Sequence, residues 1–167
     1  MTVAAVVLAA GAATRYGGPK QRELLPAVLA ALSEAAVSSI VVVEGAWTLE
    51  RGSNEVRGVR FVHCDAWADG PGASLRCGLA VLGDDVTHAL VVLADGPELD
   101  PRAVSRVAEA AGSAPIVAAT YDGSRSHPVL LARDAWSTVP AEGARALEPV
   151  LVDCSDLRAP GDVDYPG

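Results

Sequence analysis

The chain has 167 residues, with 13 Lys plus Arg against 21 Asp plus Glu, a formal net charge of −8 and a pI near 4.7. That balance argues against a protein that wraps nucleic acid, which needs a basic face to replace counterions, and against one held on an anionic membrane surface. Half of the residues are apolar, too many for a disordered chain and enough for one sizeable core, so residues 1–167 are expected to form a single domain. Within the basic set, Lys20 is the sole lysine.

In chain order, Val3 to Ala10 is a continuous apolar run ended by Gly11, the pattern of a strand buried on both faces of a parallel sheet. A Gly-rich polar loop occupies 11–22. Leu25, Leu29, Leu32 and Ala36 then recur at helical spacing, predicting a helix from about Glu23 to Ala36. Ile40 to Glu44 and Val59 to Cys64 read as strands, and Ser74 to Leu82 as a helix. Ala89 to Ala94 is another buried strand, ending at Asp95. Asp100 is an N-cap candidate with Pro101 at the first helical position, for a helix to about Ala111. Pro115–Thr120, Pro128–Ala132 and Pro149–Asp153 read as the last strands.

Alternating strands and helices predict an α/β fold of three α/β/α layers around a mainly parallel sheet. Ligands of such sheets bind beyond the carboxyl ends of the strands. That directs attention to the loop after the first strand and to Asp95.

The cysteines, Cys64, Cys77 and Cys154, are odd in number, well separated and without a CxxC, so reduced buried thiols are expected. The N-terminus has no basic n-region, and the longest apolar stretch, Val3 to Ala13, falls short of the ~20 residues that span a bilayer. A cytoplasmic protein with no membrane or nucleic-acid partner is expected.

The segment Leu8-Ala9-Ala10-Gly11-Ala12-Ala13-Thr14-Arg15-Tyr16-Gly17-Gly18-Pro19-Lys20 combines three features suited to phosphate. Its glycines allow close backbone approach and present N–H groups, Arg15 offers a planar donor fork, and Lys20 a compact charge. It is neither a Walker A loop nor a GxGxxG. The plain alternative is a simple turn at Gly17-Gly18-Pro19 with both cations solvated.

LAAGxxxRxGxPK after an N-terminal strand resembles the signature of the MobA-like NTP transferases, nucleotidyltransferases on a Rossmann-like fold. The likeness runs on through Gly70-Pro71-Gly72-Ala73-Ser74-Leu75-Arg76-Cys77-Gly78, Val92-Leu93-Ala94-Asp95-Gly96-Pro97, His127-Pro128-Val129-Leu130-Leu131, Gly143-Ala144-Arg145 and Asp162-Val163-Asp164-Tyr165-Pro166. The branch it most resembles is the molybdenum cofactor cytidylyltransferases.

The resemblance implies that Leu8, Ala9, Ala10 and Gly11 hold the base and ribose, that Arg15 and Lys20 neutralise the triphosphate, and that Asp95 and Asp164 hold Mg²⁺. It implies base or ribose recognition by Ser74, against the plain reading of Ser74 as a helix N-cap. Arg15, Lys20 and Asp95 are the implied catalytic set. Arg22 and Arg76 are further candidates for the cationic patch. His127 is read either as lining the acceptor pocket or as a hydrogen-bonded strand-end residue. A rival register sets Asp156-Leu157-Arg158-Ala159-Pro160 on the last motif. Leu-Ala-Ala-Gly leans to a pyrimidine nucleotide, CTP first and UTP second.

The implied reaction transfers CMP from CTP to a phosphorylated acceptor such as molybdopterin and releases pyrophosphate, with a molybdoenzyme as a possible partner. The alternatives are transfer to a sugar phosphate or other small phosphorylated acceptor, and a trimmed, non-catalytic nucleotide- or molybdopterin-binding homologue. The chain departs from the family pattern after Gln21, at Gly45–Gly58 and at Pro140-Ala141. Those departures fall on the acceptor side.

Overall fold

The computed structural model describes residues 1–11, 20–49 and 58–161. The described residues form a seven-stranded sheet from β1 (Val3–Ala9), β2 (Ser39–Glu44), β3 (Val59–His63), β4 (His88–Leu93), β5 (Ile116–Tyr121), β6 (Ser124–Ala132) and β7 (Val150–Asp153), in the order β3-β2-β1-β4-β6-β5-β7. The helices are α1 (Lys20–Glu34), α2 (Pro71–Ala80) and α3 (Pro101–Glu109). The half from β3 to β4 is parallel, and β7 runs parallel to β5. β6 is antiparallel to both of its neighbours. The expected mainly parallel α/β/α architecture is borne out.

The alternation within β1 explains the three layers. Val3, Ala5, Val7 and Ala9 face the cluster that holds Leu25, Val28, Leu29 and Leu32 of α1 with Ala103, Val104 and Val107 of α3. Val6 and Ala10 face the opposite cluster, with Leu75 and Leu79 of α2. Because both faces are covered, successive β1 residues are all apolar and no polar–apolar alternation is visible. Small residues let α2 lie close to the sheet. A Cβ at Gly78 would stand 2.6 Å from Val6 Cγ1 and 2.8 Å from Val43 Cγ2.

Element bounds agree with the sequence reading to within a few residues, with some instructive differences. α1 begins at Lys20 rather than Glu23 and carries Pro26 on its exposed side. α3 follows the expected N-cap, since Asp100 Oδ1 accepts the Arg102 backbone N–H at 2.8 Å. β6 starts at Ser124, four residues before the strand expected from Pro128, because Asp122 (φ 52°) and Gly123 (φ 81°) form a tight hairpin turn with β5. Asp-Gly is a turn pair with both residues at positive φ, and that signal fixes an antiparallel neighbour.

The cysteine expectation needs correction. Cys64 and Cys77 are joined by a disulfide, with Cα atoms 5.8 Å apart, and only Cys154 is a free, buried thiol. Cys64 follows β3 and Cys77 lies in α2. The parallel β3–α2 connection therefore brings together two residues 13 apart that sequence spacing did not pair. No described helix is long and apolar enough to cross a membrane.

Candidate active site

The carboxyl ends of β1, β2 and β4 converge on the segment Leu8–Gly11. The Ala10 carbonyl accepts the N–H of Ala46, just beyond β2, at 3.0 Å, and the Leu8 carbonyl accepts the N–H of Ala94, just beyond β4, at 3.1 Å. The exit of β1 is thus tied on both sides to loops that leave its neighbours. Leu8, Ala9, Ala10 and Gly11 lie together there, with Gly11 exposed at the lip. A Cβ at Gly45 would lie 2.5 Å from Trp67 Cβ and 3.0 Å from Ala10 Cβ. Only a glycine lets the half-buried Trp67 close down beside Ala10.

Glu44 was not singled out from the sequence. It ends β2, is buried, and accepts the Leu49 N–H on Oε2 at 2.9 Å, so it organises loop 45–49 beside Ala10. A carboxylate closing the run Ile40-Val41-Val42-Val43 was the visible signal. Arg22 reaches the same loop, with Nη2 donating to the Thr48 carbonyl at 3.4 Å.

α2 opens on the same side. Its N-cap is Gly70 (φ 114°), which corrects the reading of Ser74 as the cap. Ser74 lies inside the helix and is buried. The first turn is sewn to the segment before the Gly143-Ala144-Arg145 motif. The Gly72 N–H donates to the Ala141 carbonyl at 3.0 Å, and a Cβ on Gly72 would stand 1.9 Å from the Pro140 carbonyl oxygen. Arg76 Nη1 donates to the Val139 carbonyl at 2.8 Å, which ties α2 to the segment before Pro140. Arg125 in turn donates to the carbonyls of Ala144, Arg145 and Leu147. Five N–H donors in a fixed fork suit such a multiple contact.

Asp95 stands beyond β4, half-buried, with Oδ1 withdrawn from solvent. Its neighbour Ala94 is tied to Leu8, so Asp95 and the Leu8–Gly11 backbone leave adjacent strand ends of the sheet. His127, on the neighbouring β6, is buried, and its Nδ1 accepts the Leu93 N–H at 3.4 Å. Of the two readings of His127, the hydrogen-bonded one is observed, with the residue inside β6 rather than at a strand end. Beyond Asp95 an open groove of about 500 Å³ is lined by residues 97–102 and Arg158. Its arginines are engaged, Arg102 with Asp100 at 2.8 Å and Arg158 with Glu98 at 3.0 Å. The Arg102 guanidinium holds the Asp100 carboxyl below its ordinary value.

Lys20 is the first residue of α1. Arg15 and Asp164, together with Tyr16, lie outside the described residues. The Glu98 N–H donates to the Pro160 carbonyl at 2.9 Å, and a Cβ at Gly161 would lie 3.6 Å from Glu98 Oε2.

The family model for the MobA-like NTP transferase domain matches residues 5–153, which include Leu8–Gly11 and Asp95. The chain belongs to this family. No curated protein is significantly similar to it in sequence. Among solved structures, Rv0371c from Mycobacterium tuberculosis H37Rv is 26% identical, with a TM-score of 0.80 over 99% of this chain and 94% of that one. A manganese complex of Rv0371C superposes with a TM-score of 0.70 at 23% identity, covering 92% of this chain and 89% of that one. A CMP:2-keto-3-deoxy-manno-octonic acid synthetase complexed with CTP shares the fold at 11% identity, with a TM-score of 0.69 over 99% and 94% of the two chains. This MobA-like domain thus carries a nucleotidyltransferase fold, and its sheet order places Asp95 one strand away from the family's Leu-Ala-Ala-Gly segment.

The donor set fits a divalent cation of a particular kind. Among the described residues no three His, Cys, Asp or Glu side chains cluster to cage a metal. Asp95 stands at the end of β4, and Glu44, at the end of β2, is engaged with the Leu49 N–H. Mg²⁺ takes one or two protein carboxylates and completes its shell with phosphate oxygens and water, so Asp95 suits a cation that arrives with a nucleotide.

Proposed function

We propose that the chain, as one domain over residues 1–167, is a cytoplasmic nucleotidyltransferase that moves a nucleoside monophosphate from an NTP to a small phosphorylated acceptor. The observation that carries this is the adjacency of two strand ends: the Ala94–Leu8 hydrogen bond holds the exit that carries Leu8–Gly11 beside the exit that carries Asp95. CTP is the favoured donor, on the Leu-Ala-Ala-Gly sequence and on a fold shared with a synthetase solved with CTP. Molybdopterin is the favoured acceptor, by resemblance to the cytidylyltransferase branch, and a molybdoenzyme would then be a partner.

In this reading an acceptor phosphate oxygen attacks the α-phosphorus. A new P–O bond forms, the bond to the β-phosphate oxygen breaks, and pyrophosphate leaves. The backbone of Leu8, Ala9, Ala10 and Gly11 seats the base and ribose, with buried Ser74 on the flank. Arg15 and Lys20 meet the negative charge that grows on the non-bridging oxygens and the leaving group. Fixed cations stabilise such charge without reorganising when the reaction occurs. Asp95 and Asp164 would hold Mg²⁺, which would neutralise phosphate charge at that point. The protein need supply no nucleophile, since the acceptor carries its own.

Pyrophosphate release should be measured with CTP, UTP and GTP against molybdopterin and a panel of sugar phosphates. Release with CTP and molybdopterin supports the specific reading. Release only with a sugar phosphate moves the acceptor, and tight NTP binding without release under any pairing favours a non-catalytic binding homologue.

A further inference from the structure

We infer that His127 is a positioning residue for Asp95, acting through the backbone on both sides of it; the catalytic consequence rests on the nucleotidyltransferase reading above. The ladder between β4 and β6 ends at Val91–Val129. Two residues on, Leu93 falls opposite His127 beyond the last backbone pair, and the His127 carbonyl accepts from the Tyr121 hydroxyl. A backbone donor at such a place needs an acceptor. The His127 ring provides it, with Nδ1 accepting the Leu93 N–H at 3.4 Å. With Nδ1 as acceptor, the proton of the neutral ring sits on Nε2.

The other edge of the ring lies against Gly96. A Cβ there would come within 2.8 Å of Nε2, 2.9 Å of Cε1 and 3.0 Å of Pro160 Cβ. The turn that carries Asp95 therefore packs against both the imidazole and Pro160 at Gly96, and it closes on itself through the Gly96 N–H to the Leu93 carbonyl at 3.3 Å. The backbone of His127 is itself anchored, since Tyr121 Oη donates to the His127 carbonyl at 3.0 Å, and the residue is buried. On the far side, Ala94 is bonded to Leu8. One side chain thus touches the residue two before Asp95 and the residue just after it, and sets where the carboxylate stands relative to the Leu8–Gly11 backbone.

The test compares H127N, H127Q and H127A in the full chain, with circular dichroism to establish folding. Asn can present an oxygen near the Nδ1 position, whereas Gln reaches toward Nε2 and Ala offers neither. Two readouts are taken: hydrogen exchange of the Leu93 amide, and kcat with Kd for the nucleotide. The expected result is a Leu93 amide protected in the wild type and in H127N, and at least tenfold faster exchange in H127Q and H127A. Turnover should fall on the order of 10–100-fold in those two, as a misplaced group costs, with nucleotide Kd within twofold and H127N restoring most of kcat. Unchanged Leu93 exchange in folded H127A would overturn the inference. So would equal loss of turnover in all three variants. If the wild type turns over no nucleotide with any acceptor, the nucleotidyltransferase reading fails, and the latch stands or falls on the exchange data alone.

Discussion

Ala94 donates its backbone N–H to the carbonyl of Leu8 at 3.1 Å. That bond joins the strand whose exit carries Leu-Ala-Ala-Gly to the strand whose exit carries Asp95, and it keeps the two in fixed relation. The register agrees, with Leu8 opposite Leu93 in the parallel β1–β4 pair.

Asp95→Asn is the first prediction. The amide keeps the size and removes the charge. Turnover should drop on the order of 10²–10³-fold, the range seen when a preorganised electrostatic group is removed. Nucleotide binding measured without a divalent cation should stay within a few-fold of wild type. Wild-type turnover in the folded variant would remove Asp95 from the catalytic set.

Gly72→Ala tests the seam between α2 and residues 139–143. The new methyl would sit 1.9 Å from the Pro140 carbonyl oxygen and 2.8 Å from that of Ala141. Backbone atoms there have no flexible side-chain end to yield, so the loop must move off the helix. Denaturant unfolding should report a loss of about 1–3 kcal/mol, as for overpacking elsewhere. Wild-type stability would show that the contact is softer than the geometry indicates.

The Cys64–Cys77 bridge predicts a thiol count. The unreduced, denatured protein should titrate a single thiol, Cys154, and the reduced protein three. In the native state Cys154 should react slowly, because it is fully buried and burial pushes its thiol up. Reduction should lower stability by about 3 kcal/mol, the value for closing a loop of this order. Three thiols in the unreduced, denatured protein would contradict the bridge.

A pH effect follows from His88, at the start of β4. Burial, and then the nearby N-terminal amine, hold its pKa below 6.5. The unfolded chain therefore binds a proton more readily than the folded one. Stability from this group is complete above pH 6.5 and is lost as pH falls through the lower folded pKa. Unfolding midpoints across that window should decline toward acid in the wild type and decline less in His88→Gln.

Much of this arrangement was legible in the sequence because it rests on local patterns. The continuous apolar runs at Val3–Ala10 and Ala89–Ala94 mark strands covered on both faces, and Asp100-Pro101 marks a helix start. The first-loop motif pointed to the family before any coordinates. What was hidden depends on through-space packing. Nothing in the spacing of Cys64 and Cys77 reveals that α2 folds back beside the end of β3. Arg76 read as a free cation because the segment it binds, at Val139, is 63 residues away. Glu44 read as the end of a strand because its partner, the Leu49 N–H, is fixed only once the loop turns. A cap was an open alternative for Ser74 because the glycine that holds that role, Gly70, carries no side-chain signal of capping. The Asp122-Gly123 turn was readable and was passed over, and with it the early start of β6.

The central claim is that the adjacent strand ends carrying Leu8–Gly11 and Asp95 take a nucleoside triphosphate. Isothermal titration of the full chain with CTP, UTP and GTP, each with Mg²⁺, tests it most directly. One nucleotide, CTP on this account, should bind clearly and Asp95→Asn should weaken its Mg²⁺-dependent part. No binding of any of the three at millimolar concentration would contradict the account.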